Sequence, residues 1–312
     1  MATARISAPA LRADWLQHEI AVIGLARSGR AVATLLARSG NKVYASDVGR
    51  TPQLETTASE LAREGVDVGL GAHDVGRVAQ SSLVVVSPGV PPDAPVLEAA
   101  QKAGVDIVSE VEIALRFLPN LKYVAITGTN GKTTTTALAA HLLQSLGARA
   151  VAAGNIGTPL SDVALQPTPP PWVALEISSY QLHFTASIHP NVGVLTNLSP
   201  NHLDRYRSVE EYYGDKKLLF RNADSASHWV TNGDDPAVQE LAAGAAGVHV
   251  HFSTARMADA YHDRATDKLV VLGSPLIARS ELQLIGAHNV ANALCASLAV
   301  MLADPGYRGA ES

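Results

Sequence analysis

Short apolar runs alternate with helix-patterned stretches through the first hundred residues. EIAVIGL carries Gly24 near its end, RAVATLLARSG repeats apolar positions at helical spacing and closes on Gly40, and KVYASD, VDVGLG, LVVVSPG and VDIVSE follow. Runs of this length separated by helices predict a parallel sheet, because parallel neighbours need a crossover between them. A second series opens after FLPNL at 117–121 and continues through YVAITGT, ARAVAAGN, WVALEIS and VGVLTNL. Within it, Tyr123 to Thr127 are predicted as strand and Thr133 onward as helix, with Leu138, Leu142 and Leu146 forming an apolar stripe beside Ala139 and Leu143. The proline cluster QPTPPPW reads as a loop before a strand. No fixed-period repeat is present. The pattern predicts two α/β domains, residues 1–118 and 119–312.

Composition narrows the class without changing that picture. A chain of 312 residues exceeds one ordinary core, and 47% hydrophobic residues with mixed charge describe a globular protein. A net charge of −5 argues against a broad nucleic-acid-binding face. The single cysteine, Cys295, leaves no intrachain disulfide framework and suits a reducing cytoplasm. The first twenty residues lack the apolar core of a signal peptide, and ALCASLAVMLA, from Ala293, falls short of the roughly 20 residues needed to span a bilayer. The expectation is a cytoplasmic monomer with no nucleic-acid or membrane partner.

The candidate chemistry begins at GTNGKTT, residues 128–134, between the predicted strand and helix. Glycines let successive backbone N–H groups point inward, and a helix N-terminus adds its positive dipole end. Lys132 would bridge phosphate oxygens, and the Thr133 hydroxyl can ligate Mg²⁺. Ile126 stands where the usual nucleotide loop has its first glycine, so this is a shorter variant. A tight turn with an exposed lysine is the bland alternative. Glu176 ends the strand WVALEIS, where an open parallel sheet places its ligands, and His202 and Asp204 follow in NLSPNHLDRY. Taken singly, Glu176 fits a helix cap equally well, and His202 fits an ordinary surface histidine. Spacing leaves both open.

The first domain carries IAVIGLARSG, with Asp47 lying 23 residues after Gly24. That resembles a dinucleotide fingerprint with Ala26 in place of the middle glycine and Gly29 as the last. Alone it suggests an NAD-dependent dehydrogenase, although no hydride-transfer constellation follows. A nucleotide-binding regulator without ligase chemistry is a further alternative.

TGTNGKTT, GNIGTPL, EISSYQL, NHLDRY and GAHNVANAL, in that order, resemble the Mur ligases of bacterial cell-wall synthesis. The resemblance covers nearly the whole chain. EISSYQL with GNIG resembles the member that adds D-glutamate to UDP-N-acetylmuramoyl-L-alanine, more than those adding L-alanine or the third residue. Folylpolyglutamate synthetase is a more distant relative with a similar loop. The resemblance implies a Rossmann-like first domain holding the UDP substrate, a central P-loop ATPase-type domain, and amide formation through an acyl phosphate. A carboxylate is a poor electrophile, and phosphorylation gives it a leaving group.

Carried over residue by residue, the resemblance assigns Gly128, Thr129, Asn130, Gly131, Lys132, Thr133 and Thr134 to the ATP phosphates, and Asn289 and Asn292 to the adenine. Thr133 and Glu176 would hold a first Mg²⁺ and His202 a second. Leu25, Ala26, Arg27 and Ser28 would lie by the UDP diphosphate, Asp47 near the uridine, and Ser87, Pro88 and Gly89 beside them. Asn155 and Ser178 would stand near the reacting substrate. Relatives carry a lysine modified by CO₂ to a carbamate that helps hold the second Mg²⁺. Here two lysines are adjacent, and Lys216, fourteen residues after His202, is chosen over Lys217. Two solvated lysines remain the bland alternative. The resemblance also implies a third α/β domain that holds the incoming amino acid. No sequence remains after Ser312 to build it, so a truncated and inactive chain is expected.

Overall fold

The computed structural model describes residue 15, residues 18–201 and residues 205–307. The chain divides into two compact units, one of residues 1–119, 158–169 and 180–187, the other of residues 120–157, 170–179 and 188–312. The sequence reading placed a single boundary after residue 118. Backbone N–H groups of the two short segments bond side chains of the first unit. Ser161 N–H donates to Glu110 Oε1 at 2.5 Å and Ser187 N–H to Glu112 Oε2 at 2.8 Å.

The first unit runs β1 (Ile20–Ile23), α1 (Arg27–Arg38), β2 (Val43–Asp47), α2 (Pro52–Arg63), β3 (Asp67–Leu70), α3 (Val75–Val78), β4 (Leu83–Val86), α4 (Pro95–Lys102), β5 (Asp106–Ser109) and α5 (Glu110–Phe117). Its strands are all parallel in the order β3-β2-β1-β4-β5. Ile20, Val22, Leu83 and Val85 face one apolar core with Val32 and Leu36 of α1, while Ala21, Ile23, Val84 and Val86 face another. Both sheet faces are covered, which is why IAVI and LVVV are unbroken apolar runs.

The second unit opens with β6 (Lys122–Thr127), α6 (Lys132–Ser145) and β7 (Ala150–Gly154). After α7 (Leu160–Ala164), in a segment of the first unit, comes β8 (Trp172–Glu176); α8 (Ser179–His183) belongs from Tyr180 to the first unit, and β9 (Val192–Leu195), α9 (Val209–Lys217), β10 (His228–Asn232) and α10 (Pro236–Ala242) return to the second. It ends with β11 (Val248–Ser253), β12 (Ala260–Asp263), β13 (Lys268–Val271), β14 (Ser274–Ala278) and α11 (Ala287–Ala303). The nine strands lie in the order β14-β13-β12-β11-β10-β9-β6-β8-β7, with β12, β13 and β14 paired antiparallel.

The apolar stretch that ends the sequence pattern is α11, a core helix packed with α6 over the sheet. Among the described residues, no helix is long and apolar enough to cross a membrane. The buried face of α6 is Thr135, Thr136, Ala139, Ala140 and Leu143; Leu138, Leu142 and Leu146 are only partly buried beside it. The expected leucine stripe therefore lies at the margin of the contact. Small residues form the centre, where α11 packs against this helix.

Candidate functional site

In the second unit, the strand order turns about β6, whose neighbours β9 and β8 both follow it in sequence. Open parallel sheets bind ligands beyond the carboxyl ends of strands at such a reversal. The loop after β6 depends on two glycines in the left-handed half of backbone space, Gly128 at φ 142° and Gly131 at φ 79°. Each is also sterically required. A Cβ on Gly128 would sit 2.0 Å from Thr196 Oγ1, and one on Gly131 would sit 2.4 Å from Asn292 Oδ1.

Residues after β9 brace this loop. Asn130 N–H donates to Asn197 Oδ1 at 2.9 Å, Thr129 N–H to the Asn197 carbonyl at 2.9 Å, and the Thr196 hydroxyl to the Asn130 carbonyl at 2.8 Å. Sequence reasoning missed both braces, because TNL was read as the end of a strand. A Thr-Asn pair just past an apolar run and across from a glycine loop was the available signal.

Lys132, the first residue of α6, turns its ammonium onto the Gly128 and Thr129 carbonyls at 3.0 and 2.7 Å. Lys216 reaches the same Gly128 carbonyl at 2.7 Å and lies 4.6 Å from the centre of the Tyr212 ring. Burial holds the Lys132 amine below its ordinary range. Burial, and then the charge of Lys132, push Lys216 down to about 7. Lys216 is 1% exposed, whereas Lys217 faces solvent.

Glu176, 2% exposed at the end of β8, accepts from the Thr133 hydroxyl at 2.8 Å and from Asn155 Nδ2 at 2.9 Å. Asn155 thus orients this carboxylate in the structure. Gly154 permits the approach, since a Cβ there would lie 2.2 Å from the Glu176 carbonyl oxygen. Asn292 lies on the first half of α11 with its side chain beneath the loop. It accepts from the Thr135 hydroxyl at 3.3 Å and donates to Asn289 Oδ1 at 3.0 Å. Asn292 thus packs against Gly131 and is itself held by Asn289, a role the sequence reading did not assign. His202 and Asp204 lie outside the described residues.

In the first unit the strand order reverses between β1 and β4. Gly24 takes φ 86°, and a Cβ on Gly29 would lie 1.8 Å from the Gly24 carbonyl oxygen, so α1 starts tight against the end of β1. Ala26 caps α1 with extended backbone and no side-chain bond, which keeps the positive end of the helix open toward an anion. Ser87 is buried and donates to the Gly24 carbonyl at 2.7 Å. Leu25 has its side chain in the core, and its N–H donates to Asp47 Oδ2 at 2.8 Å. Asp47 Oδ1 accepts from Gly49 N–H at 2.8 Å. The side chains of Leu25 and Ser87 are therefore committed to the fold, while Ala26 and Arg27 are exposed at the start of the helix.

Residues 126–300 match the Mur ligase middle domain, and residues 18–109 match the Mur ligase MurD-like N-terminal domain. The chain belongs to the Mur ligase family. It is similar to the UDP-N-acetylmuramoylalanine--D-glutamate ligase of Microcystis aeruginosa, 39% identical over 301 residues, covering 91% of this chain and 64% of that protein. The ligase of the same name from Geobacter metallireducens is 39% identical over 288 residues, covering 91% and 63%. The chain therefore spans a little under two thirds of the length of these curated relatives. Its fold is similar to that of a Neisseria meningitides UDP-N-acetylmuramate:L-alanyl-gamma-D-glutamyl-meso-diaminopimelate ligase, at TM-score 0.61 and 20% identity over 94% of each chain. It is also similar to a Thermotoga maritima UDP-N-acetylmuramate-alanine ligase, at TM-score 0.53 and 23% identity over 91% of this chain and 64% of that one. The matches do not favour the dehydrogenase or the regulator reading.

Proposed function

We propose that the two units serve an ATP-dependent ligase that joins D-glutamate to UDP-N-acetylmuramoyl-L-alanine in peptidoglycan synthesis. The observation that carries the ATP half is the convergence of Lys132 and Lys216 on the Gly128 carbonyl, in a glycine-built loop opening α6. The Lys132 ammonium beside that carbonyl, with the glycine loop and the start of α6, favours the arrival of an anion, and a triphosphate is the anion such a loop fits. The specificity for D-glutamate rests on the names of the similar ligases.

In this reading an alanyl carboxylate oxygen attacks the γ-phosphorus and the bond to the β-phosphate oxygen breaks, giving ADP and an acyl phosphate. The amine of D-glutamate then attacks the acyl carbon, the amide forms, inorganic phosphate leaves, and the amine gives up a proton. Lys132 neutralises charge on the transferring group, and the loop N–H groups orient it. The chain's residues fit Mg²⁺, since the Thr133 hydroxyl and the buried Glu176 carboxylate form an oxygen-donor pair. Among the described residues no cluster of three acidic, histidine or cysteine side chains occurs, and phosphate oxygens and water would complete such a site. Mg²⁺ would supply charge neutralisation, with Thr133 and Glu176 holding one ion. His202 and a carbamate on Lys216 would hold a second. The first unit would take the UDP diphosphate at the start of α1, near Ala26 to Ser28, and the protein would work as a cytoplasmic monomer.

Calorimetric titration tests the reading. ATP with Mg²⁺ and UDP-N-acetylmuramoyl-L-alanine should each bind, and NADH should not. Binding of NADH without the UDP compound would sink it. In a ligase assay on a version as long as the curated relatives, the product should gain the mass of one glutamate residue with the D isomer only.

A further inference from the structure

His73 follows β3, at the carboxyl end of the first sheet and two strands from the loop that opens α1. Its Nδ1 lies 2.9 Å from the hydroxyl of Ser46, a side chain with 0% exposure on β2. No other partner of that hydroxyl occurs among the described residues. A buried hydroxyl must place its proton, and the imidazole nitrogen is the acceptor in reach. Ser46 therefore donates to Nδ1, and the ring hydrogen sits on Nε2. Among the described residues Nε2 has no partner, so His73 presents a neutral N–H donor. Burial favours the neutral ring by holding its pKa below the usual value.

The surroundings select what this donor would meet. A nucleotide with its phosphates at the start of α1 runs along the strand ends past Asp47, as nucleotides do on sheets of this order. Both Asp47 oxygens already accept a backbone N–H, from Leu25 and Gly49. Next to Asp47 stands Val48, 66% exposed, an apolar surface against which a planar ring can lie. After β3, the neighbouring strand, His73 Nε2 is a side-chain donor available to a base edge.

We propose that His73 reads the pyrimidine of the nucleotide substrate, donating its Nε2 hydrogen to a ring carbonyl and so selecting uracil over cytosine. This rests on the UDP-binding reading of the first unit. Uracil offers a C4 carbonyl, whereas cytosine carries an amino group there that would oppose a second donor.

The test titrates the 312-residue chain with UDP and with CDP. The wild-type protein should prefer UDP by roughly tenfold, the effect of one hydrogen bond made against a donor left facing a donor. His73→Ala should weaken UDP about five- to tenfold and leave CDP nearly unchanged, bringing the ratio close to one. His73→Gln, which keeps an N–H donor, should retain most of the preference. A His73→Ala ratio equal to wild type overturns the proposal, and so does an equal loss of both nucleotides, which would mark His73 as a support of the fold. If the wild-type chain takes up neither UDP nor CDP, the UDP reading of the first unit fails and this inference fails with it. UDP binding with an unchanged ratio condemns His73 alone.

Discussion

Lys132 and Lys216 donate to one acceptor, the carbonyl oxygen of Gly128, at 3.0 and 2.7 Å. Two cations on one dipole repel, and the deeper one yields its proton more readily. Burial and the Lys132 charge put Lys216 at about 7, which removes the usual obstacle to carbamate formation, a lysine that is seldom neutral. With carbon-13 bicarbonate, one carbamate resonance should appear and grow as pH rises through about 7. It should vanish in Lys216→Ala and persist in Lys217→Ala. In a ligase assay on the longer protein, a small carboxylic acid should partly restore Lys216→Ala. A resonance lost only in Lys217→Ala would reverse the assignment.

Removing the other lysine should have two effects. Lys132→Ala takes a cation from the loop, so ATP affinity should fall by at least about tenfold, the loss of one charge-assisted contact, with the circular dichroism spectrum unchanged. It also removes the charge that lowers the Lys216 pKa, so the carbamate profile should move to higher pH. A profile that stays in place would show burial alone to set Lys216.

Glu110 gives the fold a pH dependence of defined sign. It is fully buried, one oxygen accepts from Ser161 N–H, and Oε2 has no partner among the described residues. Burial raises its pKa from 4.5 to about 7. The folded state therefore holds this proton over a range where the unfolded chain has lost it. Stability from this group is undiminished below 4.5, declines between 4.5 and about 7, and levels off above that. Glu110→Gln should abolish that slope in urea titrations and stabilise the protein at pH 8 by roughly 3 kcal/mol at most. A mutant that parallels wild type at every pH would show that Glu110 is not a neutral acid in the folded protein.

Cys295 sits at 0% exposure in the middle of α11, and burial raises its thiol pKa well above the ordinary range. The thiolate is the reactive form, so the folded protein should resist a thiol reagent over hours and react fully in denaturant. Intermediate urea should give labelling rates that track loss of the second unit's core. Rapid labelling without urea would mean that α11 opens locally.

Much of the architecture was legible because both faces of each parallel sheet are covered. The strands then appear as unbroken runs such as LVVV and YVAIT, and glycines mark where they end. The phosphate loop was legible for a related reason, since Gly-Lys-Thr between strand and helix is a local pattern. β10 to β14 were not read, because their short strands mix histidine, charge and apolar residues, as in VHVHFS. Asp47 and Asn292 were expected beside ligands, and the internal bonds of their polar atoms were not legible. A polar residue beside a loop has the same letter whether it faces outward or inward. Only the partner's position, tens of residues away, distinguishes the two.

The path of the chain also imposes an order on its making. The five strands of the first sheet end at Ser109, but residues 158–169 and 180–187 belong to the same unit. Glu110 meets Ser161 only after β6, α6 and β7 have been made, and Glu112 meets Ser187 only after β8 as well. At ordinary synthesis rates the ribosome needs roughly 3–14 s to travel from residue 119 to residue 187. Through that interval the nascent first unit carries α5 without its closing partners, while the strands of the second unit are already emerging. A piece cut at the apparent boundary would be held at that stage, with two acidic side chains waiting for donors encoded more than forty residues downstream.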